Sequence, residues 1–242
     1  MVPWRCKCRR FFLVASFLAV ASMLGKPEAL VPAGREPAME VVFVHGFGGP
    51  NEDEKRFVQL LREEMEKVGA RVHAPTYHPG GRVGATSLPR FMEELKALAE
   101  SSETNVTLLG FSVGGWLVAS FQERWPHLVK RVVLLAPAID NFERNFEGKA
   151  EQDWYMPAAY VAELREMTAR PAIKVPAMLV HGDCETDAGG SALWRVKEWA
   201  QAENFARCYF PEGLGHSMDI VEAGPGFGAV KSWLMGAEDL LT

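Results

Sequence analysis

One serine stands in a setting where a side-chain hydroxyl can attack a substrate. Residues 110–114 read Gly-Phe-Ser-Val-Gly and separate an apolar, strand-like run from an apolar, helix-like run. A serine at the tip of a sharp strand-to-helix turn has a crowded backbone, so glycine is needed two positions before it and two after it. The turn would place the Ser112 hydroxyl above the positive end of a helix, where acyl transfer is favoured. On its own the pattern is common, and a glycine-rich turn with an ordinary serine would explain it equally well.

The serine has candidate partners further along the chain. A serine hydroxyl is a weak nucleophile at neutral pH and needs a base that is itself oriented by an acid. Residues 211–216, Pro-Glu-Gly-Leu-Gly-His, place His216 on a glycine-rich loop after the last predicted strand. Residues 181–187, His-Gly-Asp-Cys-Glu-Thr-Asp, form a carboxylate-rich loop after the strand before it. We expect both loops at the edge of the sheet where Ser112 lies, in the chain order serine, acid, histidine.

A loop that could bind developing negative charge follows the first predicted strand. Residues 45–49 read His-Gly-Phe-Gly-Gly, and such a loop lets a backbone N–H approach a substrate oxygen. The N–H groups of Phe47 and Val113 would then form an oxyanion hole.

These four motifs together resemble the α/β-hydrolase superfamily, from Met39 to the C-terminus. The superfamily includes carboxylesterases, lipases, acyl-thioesterases, peptidases and haloalkane dehalogenases, and the dehalogenases carry aspartate at the position of Ser112. The resemblance therefore implies a serine hydrolase that needs no metal or cofactor. The chain departs from the family pattern in two respects. It lacks the antiparallel strand pair that often opens the fold, and it has Glu185 where aspartate is usual.

Two carboxylates compete for the role of the acid. Alignment to the family's His-Gly-x-x-acid loop selects Glu185, whereas Asp187 has the usual side chain but is displaced by two residues. Asp183 lies close to the strand end and is better placed to shape the turn. We favour Glu185 and keep Asp187 as the alternative, because the arrangement tolerates either carboxylate.

Strands and helices alternate from Met39 onward. This alternation predicts an α/β fold with a mostly parallel sheet of about six strands and helices on both faces. The predicted strands are 40–45, 71–74, 106–109, 131–135, 177–180 and 206–210, and the predicted helices are 54–68, 88–100, 113–125, 190–203 and 227–241. The helix after Ser112 has little polar surface, so we expect it to be buried.

Residues 138–175, between the fourth and fifth predicted strands, break the alternation. A compact domain seldom contains so long a structureless loop, and connections on the carboxyl side of such strands border the ligand site. A helical pattern runs from Ala158 to Thr168, and the segment contains Trp154, Tyr155, Met156 and Tyr160. We interpret it as a small cap over the site, with edge packing as the alternative. Its apolar side chains favour a medium or long acyl chain.

The first 25 residues differ from the rest. Basic residues within 5–10 precede an apolar run at 11–24, and no acidic residue appears before Glu28. This predicts a signal peptide or signal anchor over 1–25, a linker over 26–38 and the hydrolase domain over 39–242. The expected localisation is the secretory pathway, with secretion or membrane association through the N-terminal segment. A transit peptide to an organelle is the alternative.

Composition narrows the remaining function classes. The net charge is -5 without a long basic run, which gives no reason to expect nucleic acid as a partner. The chain has neither a zinc-ligand spacing nor a nucleotide-binding glycine pattern, so no metal or cofactor is expected.

We predict a serine hydrolase that cleaves a small-molecule carboxylic ester or thioester through an acyl-enzyme on Ser112. An acyltransferase using the same acyl-enzyme and a non-catalytic binding module are the alternatives. Nothing in the sequence indicates an oligomeric state.

Overall fold

A single parallel sheet organises the chain. The computed structural model describes residues 39–78, 86–140, 158–186 and 191–236. The strands are β1 (Met39–Val44), β2 (Ala70–His73), β3 (Val106–Phe111), β4 (Val129–Leu135), β5 (Ala177–Val180) and β6 (Arg207–Tyr209). They lie in the order β2-β1-β3-β4-β5-β6, and each neighbouring pair is parallel. The predicted α/β fold with six parallel strands is therefore confirmed. Within the described ranges, the sheet has no antiparallel strand.

Seven α-helices connect or follow the strands in the described ranges. They are α1 (Glu52–Glu66), α2 (Leu88–Glu100), α3 (Val113–Arg124), α4 (Ala158–Glu166), α5 (Leu193–Ala202), α6 (Asp219–Ala223) and α7 (Gly226–Met235). The predicted bounds of most helices differ from these by one to three residues. The last helix ends well before the predicted residue 241, because Gly236 adopts a left-handed φ of 79° and terminates it. The sequence analysis missed α6, which is too short to show a helical period.

The helices cover both faces of the sheet, as predicted. Residues of β1 alternate between two cores: Val42 and Val44 join one, and Val41 and Phe43 join the other. Helices α2, α3, α4 and α5 contribute to the first core, whereas α1, α6 and α7 contribute to the second. Burial on both faces explains why the central strands are continuously apolar.

The turn from β3 to α3 depends on close backbone packing. A Cβ atom on Gly114 would lie 2.2 Å from the carbonyl oxygen of Val44, and one on Gly110 would lie 2.3 Å from that of Gly114. Residues 113–122 of α3 are all buried, as the apolar sequence predicted. The two glycines therefore allow a buried helix to begin directly against the ends of β1 and β3.

We expect Gly114→Ala to destabilise the fold by roughly 3 kcal/mol or more, because the new methyl group meets backbone that cannot move independently. The matched control is Gly228→Ala on α7, where a Cβ would meet nothing within 4 Å. That substitution should be neutral or stabilising by about 0.5–1 kcal/mol, since alanine favours helix. Urea unfolding of both variants measures the difference. Equal stabilities would contradict the packing argument.

Candidate active site

Ser112 is held in a strained backbone conformation at the tip of the β3–α3 turn. Its φ is 56° and its ψ is -123°, which is rare for a residue other than glycine. Its N–H donates to the carbonyl oxygen of Leu135 at 2.9 Å, and its own carbonyl accepts from the N–H of Ala138 at 3.0 Å. These bonds to the segment at the end of β4 keep the conformation in place.

A chain of hydrogen bonds runs from Ser112 to a buried carboxylate. His216 Nε2 lies 2.7 Å from Ser112 Oγ, and His216 Nδ1 lies 2.7 Å from Glu185 Oε1. A carboxylate only accepts, so the imidazole donates from Nδ1 to Glu185 and its Nε2 accepts from the serine hydroxyl. The three side chains follow β3, β5 and β6, and thus meet at the carboxyl edge of the sheet. The arrangement can abstract a proton from the hydroxyl and stabilise the imidazolium that forms.

The surroundings of Glu185 bury it and supply further donors. Its Oε1 also accepts from the N–H of Ser191 at 3.3 Å, and its Oε2 lies 3.5 Å from His181 Nε2. Burial lowers the pKa of His181, so this ring is neutral at neutral pH and donates to the carbonyl oxygen of Ser191 at 2.9 Å. The alternative acid, Asp187, lies outside the described residues. Of the two predicted candidates, the structure thus places Glu185 against His216.

Asp183 joins the acid-bearing loop to the histidine-bearing loop. Its Oδ1 accepts from the N–H of Gly213 at 2.7 Å, and its own N–H donates to the carbonyl oxygen of Pro211 at 3.2 Å. The N–H of Cys184 donates to the carbonyl oxygen of Leu214 at 2.8 Å. Asp183 therefore shapes the turn, as the sequence analysis suggested.

Glu54 fixes the loop after β1 and was missed by the sequence analysis. Its Oε1 accepts from the N–H of Gly46 at 2.6 Å, and its Oε2 accepts from the N–H of Asn51 at 2.9 Å. The Asn51 side chain returns a bond to the Glu54 N–H and completes a capping box on α1. A Cβ on Gly46 would lie 3.3 Å from Ser112 Cβ and 3.4 Å from Glu54 Oε1, so the loop passes directly beside the serine. The spacing Asn-x-x-Glu was the available signal.

Of the predicted oxyanion-hole residues, Val113 follows Ser112 directly in the chain, and Phe47 belongs to the loop whose Gly46 passes beside Ser112. Val113 is the first residue of α3, and N–H groups at a helix start have no partner within the helix. Phe47 follows Gly46, and its ring packs against His78 with a centroid separation of 5.8 Å. Binding of an oxyanion by these two N–H groups remains a prediction.

His45 and Tyr77 hold the base of the same loop. His45 Nδ1 lies 2.7 Å from the carbonyl oxygen of Gly46, and its Nε2 lies 2.9 Å from Thr76 Oγ1. The hydroxyl of Tyr77 lies 3.0 Å from the carbonyl oxygen of Gly46. His45 thus fixes the loop through hydrogen bonds.

Two buried histidines should make the protein sensitive to acid. Burial lowers the pKa of His45 and of His78 from 6.5 to about 4 in each case. The unfolded state therefore binds protons more readily than the folded state between pH 6.5 and 4. The free energy of unfolding keeps its full value above pH 6.5 and falls as the pH approaches 4. We expect the Tm to fall over this range and His78→Phe to reduce the slope, as measured by circular dichroism. The matched control is His127→Gln at an exposed position, which should keep the wild-type slope.

Two negative findings apply to the described ranges. Within them no group of three or more His, Cys, Asp and Glu side chains is arranged to hold a metal ion. No helix there is both long and apolar enough to span a bilayer. The predicted leader, the linker and the cap residues Trp154, Tyr155 and Met156 lie outside the described residues. Of the predicted cap segment, the structure describes α4 and its flanks.

A sequence model of one hydrolase family matches more than half of the chain. The family is described as serine aminopeptidase, S33, and the match covers residues 35–165. The chain belongs to this family of α/β-hydrolases. The matched stretch of the hydrolase contains the loop after β1 and Ser112, and it ends before Glu185 and His216.

Solved structures share the fold of this hydrolase at low sequence identity. Est1E from Butyrivibrio proteoclasticus, with ferulic acid bound, has a TM-score of 0.64 and 17% identity over 84% of this chain and 90% of its own. Mouse alpha/beta hydrolase domain-containing protein 10 has a TM-score of 0.60 and 15% identity, and the match covers 86% of this chain and 91% of the mouse chain. The monoacylglycerol lipase of Paleococcus ferrophilus has a TM-score of 0.54 and 16% identity, and the match covers 81% of this chain and 94% of the lipase chain. These likenesses establish the fold.

One curated relative matches part of the hydrolase by sequence. The biotin biosynthesis bifunctional protein BioHC of Teredinibacter turnerae is 29% identical over 108 residues, which are 43% of this chain. The match spans 18% of that protein's length, so it extends to less than a fifth of the relative.

Proposed function

We propose that this hydrolase cleaves a small-molecule carboxylic ester or thioester through an acyl-enzyme on Ser112. The observation that carries the proposal is the continuous hydrogen-bonded series of Ser112, His216 and Glu185, with 2.7 Å at each junction. Nucleophile, base and acid each lie within the distance that their roles require.

The residues act in two half-reactions. Ser112 Oγ attacks the acyl carbon while His216 Nε2 takes the hydroxyl proton, and the N–H groups of Phe47 and Val113 bind the oxyanion. The tetrahedral intermediate collapses as His216 returns the proton to the leaving alcohol or thiol. In the second half-reaction, His216 takes a proton from a water molecule, which attacks the acyl carbon of the acyl-enzyme. The second tetrahedral intermediate collapses as His216 returns this proton to Ser112 Oγ, which releases the carboxylic acid and restores the hydroxyl. Glu185 orients His216 and stabilises its charged form throughout.

Two observations favour an ester or thioester over an aminoacyl substrate. A domain of a Rhodothermus marinus protein that is named as an esterase domain, and a protein named as a monoacylglycerol lipase, share the fold. An aminopeptidase needs an anion for the substrate's ammonium group, whereas the two buried carboxylates that the described residues place beside Ser112 already accept protein hydrogen bonds. Glu54 binds two backbone N–H groups, and Glu185 binds His216 and the N–H of Ser191.

A labelling experiment and a substrate panel test the proposal. A fluorophosphonate probe should label the protein, and mass spectrometry should place the adduct on Ser112. A panel of nitrophenyl esters of increasing acyl length, acyl thioesters and aminoacyl nitroanilides should then show turnover of esters or thioesters. Absence of labelling would favour the binding-module alternative. Turnover that requires an added alcohol would favour the acyltransferase, and turnover of nitroanilides alone would favour an aminopeptidase.

The N-terminal segment carries a separate proposal. The basic and apolar pattern of residues 1–25 favours a signal peptide or signal anchor, which implies the secretory pathway. Cell fractionation with N-terminal sequencing of the recovered protein tests this, and an organellar location would favour the transit peptide.

A further inference from the structure

Two buried side chains beside the loop after β1 have polar atoms that lack a hydrogen-bond partner within the described residues. His78 is 1% exposed, and neither of its ring nitrogens reaches a partner there with normal hydrogen-bond geometry, although the Tyr77 backbone acts on the ring and raises its pKa against the larger effect of burial. Tyr160 on α4 is 2% exposed, and its hydroxyl has no partner in the same ranges. The two ring centroids lie 5.6 Å apart. An unpaired buried polar group costs about 1–3 kcal/mol, so three such atoms in one place require an explanation.

Neighbouring polar rings in the same cluster are satisfied. Both nitrogens of His45 and the hydroxyl of Tyr77 have protein partners, although these rings pack against His78 at 5.9 and 4.2 Å. The backbone of His78 is also fixed, since its N–H donates to Thr76 Oγ1 at 3.2 Å. Among the polar rings of this cluster, His78 and Tyr160 are therefore the two whose polar atoms lack a partner of normal hydrogen-bond geometry in the described residues.

This pair packs against a residue of the proposed oxyanion hole. Both rings pack against Phe47, with centroid separations of 5.8 Å for His78 and 6.5 Å for Tyr160. Phe47 also supplies a backbone N–H to the proposed oxyanion hole. A substrate whose acyl oxygen is bound there would have a neighbouring group within reach of the two rings.

We propose that His78 and Tyr160 form a polar subsite that binds an uncharged hydroxyl or carbonyl group of the substrate. The proposal deepens the ester-hydrolase function and rests on it. A neutral imidazole offers one donor and one acceptor, and a phenol hydroxyl offers both, which matches a group of this kind.

Charged groups fit this subsite poorly. Glu163, on the same helix as Tyr160, carries negative charge close to it and would repel a carboxylate. Its own Oε2 accepts from the N–H of Leu88 at 2.7 Å. An ammonium group would have to leave water for two uncharged rings, which is costly without a counter-ion.

The test compares matched esters with and without a hydroxyl group. The acyl arm compares nitrophenyl butyrate with nitrophenyl 3-hydroxybutyrate, and the alcohol arm compares ethyl butyrate with 2-hydroxyethyl butyrate. The wild type should prefer the hydroxylated member of one pair by about tenfold in kcat/KM. The arm that shows the preference identifies which side of the ester occupies the subsite.

The variants separate a ligand site from a packing defect. Tyr160→Phe and His78→Phe should bring the preference close to one by lowering kcat/KM on the hydroxylated ester. Tyr209→Phe on β6 is the control and should keep the preference. If His78→Phe does not fold, Tyr160→Phe alone tests the subsite, because it removes a single oxygen atom and should leave the fold intact.

Two results would overturn the subsite. One is a wild-type preference close to one on both arms. The other is a preference that survives in Tyr160→Phe while the Tm of that variant rises, as expected for removal of a merely unsatisfied hydroxyl. Either result with intact fluorophosphonate labelling and plain-ester turnover leaves the proposed function standing. Loss of labelling and of all turnover in the wild type would instead overturn both proposals.

Discussion

Replacing Ser112 by alanine should eliminate fluorophosphonate labelling and lower kcat on the best ester by roughly 10⁵- to 10⁶-fold. The substitution removes the nucleophile and leaves the base without a proton to take. The fold should survive, because within the described residues the side-chain hydrogen bond lost is the one to His216 Nε2 at 2.7 Å. Alanine also lacks any group that would clash at the turn. Steady-state assays with the nitrophenyl ester series measure kcat, and circular dichroism shows whether the variant is folded.

The control for this variant is Ser120→Ala on α3. The Ser120 hydroxyl is buried and has no hydrogen-bond partner in the part of the chain that the structure describes, so its removal should preserve labelling and kcat. A Ser112→Ala protein that still turns over the ester at a tenth of the wild-type rate would contradict the acyl-enzyme mechanism. Equal loss in both variants would indicate a general defect of α3.

Replacing Glu185 by glutamine should lower kcat by about 10⁴-fold with little change in KM. The amide removes the negative charge that stabilises the imidazolium. It can also present N–H₂ to His216 Nδ1, which favours the tautomer whose Nε2 carries the proton and cannot accept one from Ser112. The nearly identical volume should preserve packing. Steady-state kinetics on one ester, with fluorophosphonate labelling rates, separate kcat from binding.

Asp183→Asn is the matched control for the acid. It changes a carboxylate two residues away in the same loop. In the wild type the N–H of Gly213 donates to Asp183 Oδ1 at 2.7 Å, and the asparagine oxygen can accept the same hydrogen bond. Activity should stay within about tenfold of wild type. Retained activity in Glu185→Gln and a large loss in Asp187→Asn would identify Asp187 as the acid, the alternative that the sequence left open.

The sheet and the nucleophile turn could be predicted from the sequence because their signals are local. Apolar β-branched runs mark buried parallel strands, and Gly110 and Gly114 mark the close approach that the turn needs. Helix ends are less certain, and α6 was missed because five residues show no clear period.

The missed part of the site depends on tertiary contacts. The Asn-x-x-Glu spacing indicates a cap at the start of α1, but Glu54 also reaches back eight residues to the N–H of Gly46. That bond joins the first turn of α1 to the loop after β1, and no periodicity in the sequence specifies it. The unpaired atoms of His78 and Tyr160 are likewise invisible in the sequence, since they arise where two distant segments meet.

The contacts between the acid loop and the histidine loop determine where this site tolerates change. Gly182 lies so close to the opposite loop that a Cβ would stand 2.4 Å from the carbonyl oxygen of Leu214, and three hydrogen bonds through Asp183 and Cys184 add to this contact. The two loops therefore behave as a single rigid arm that carries Glu185 and His216 together. An insertion in either loop would shift this pair as a unit. The hydrogen bond lost first would be the one between His216 and Ser112, which leaves the His216–Glu185 hydrogen bond intact beside an unreactive hydroxyl.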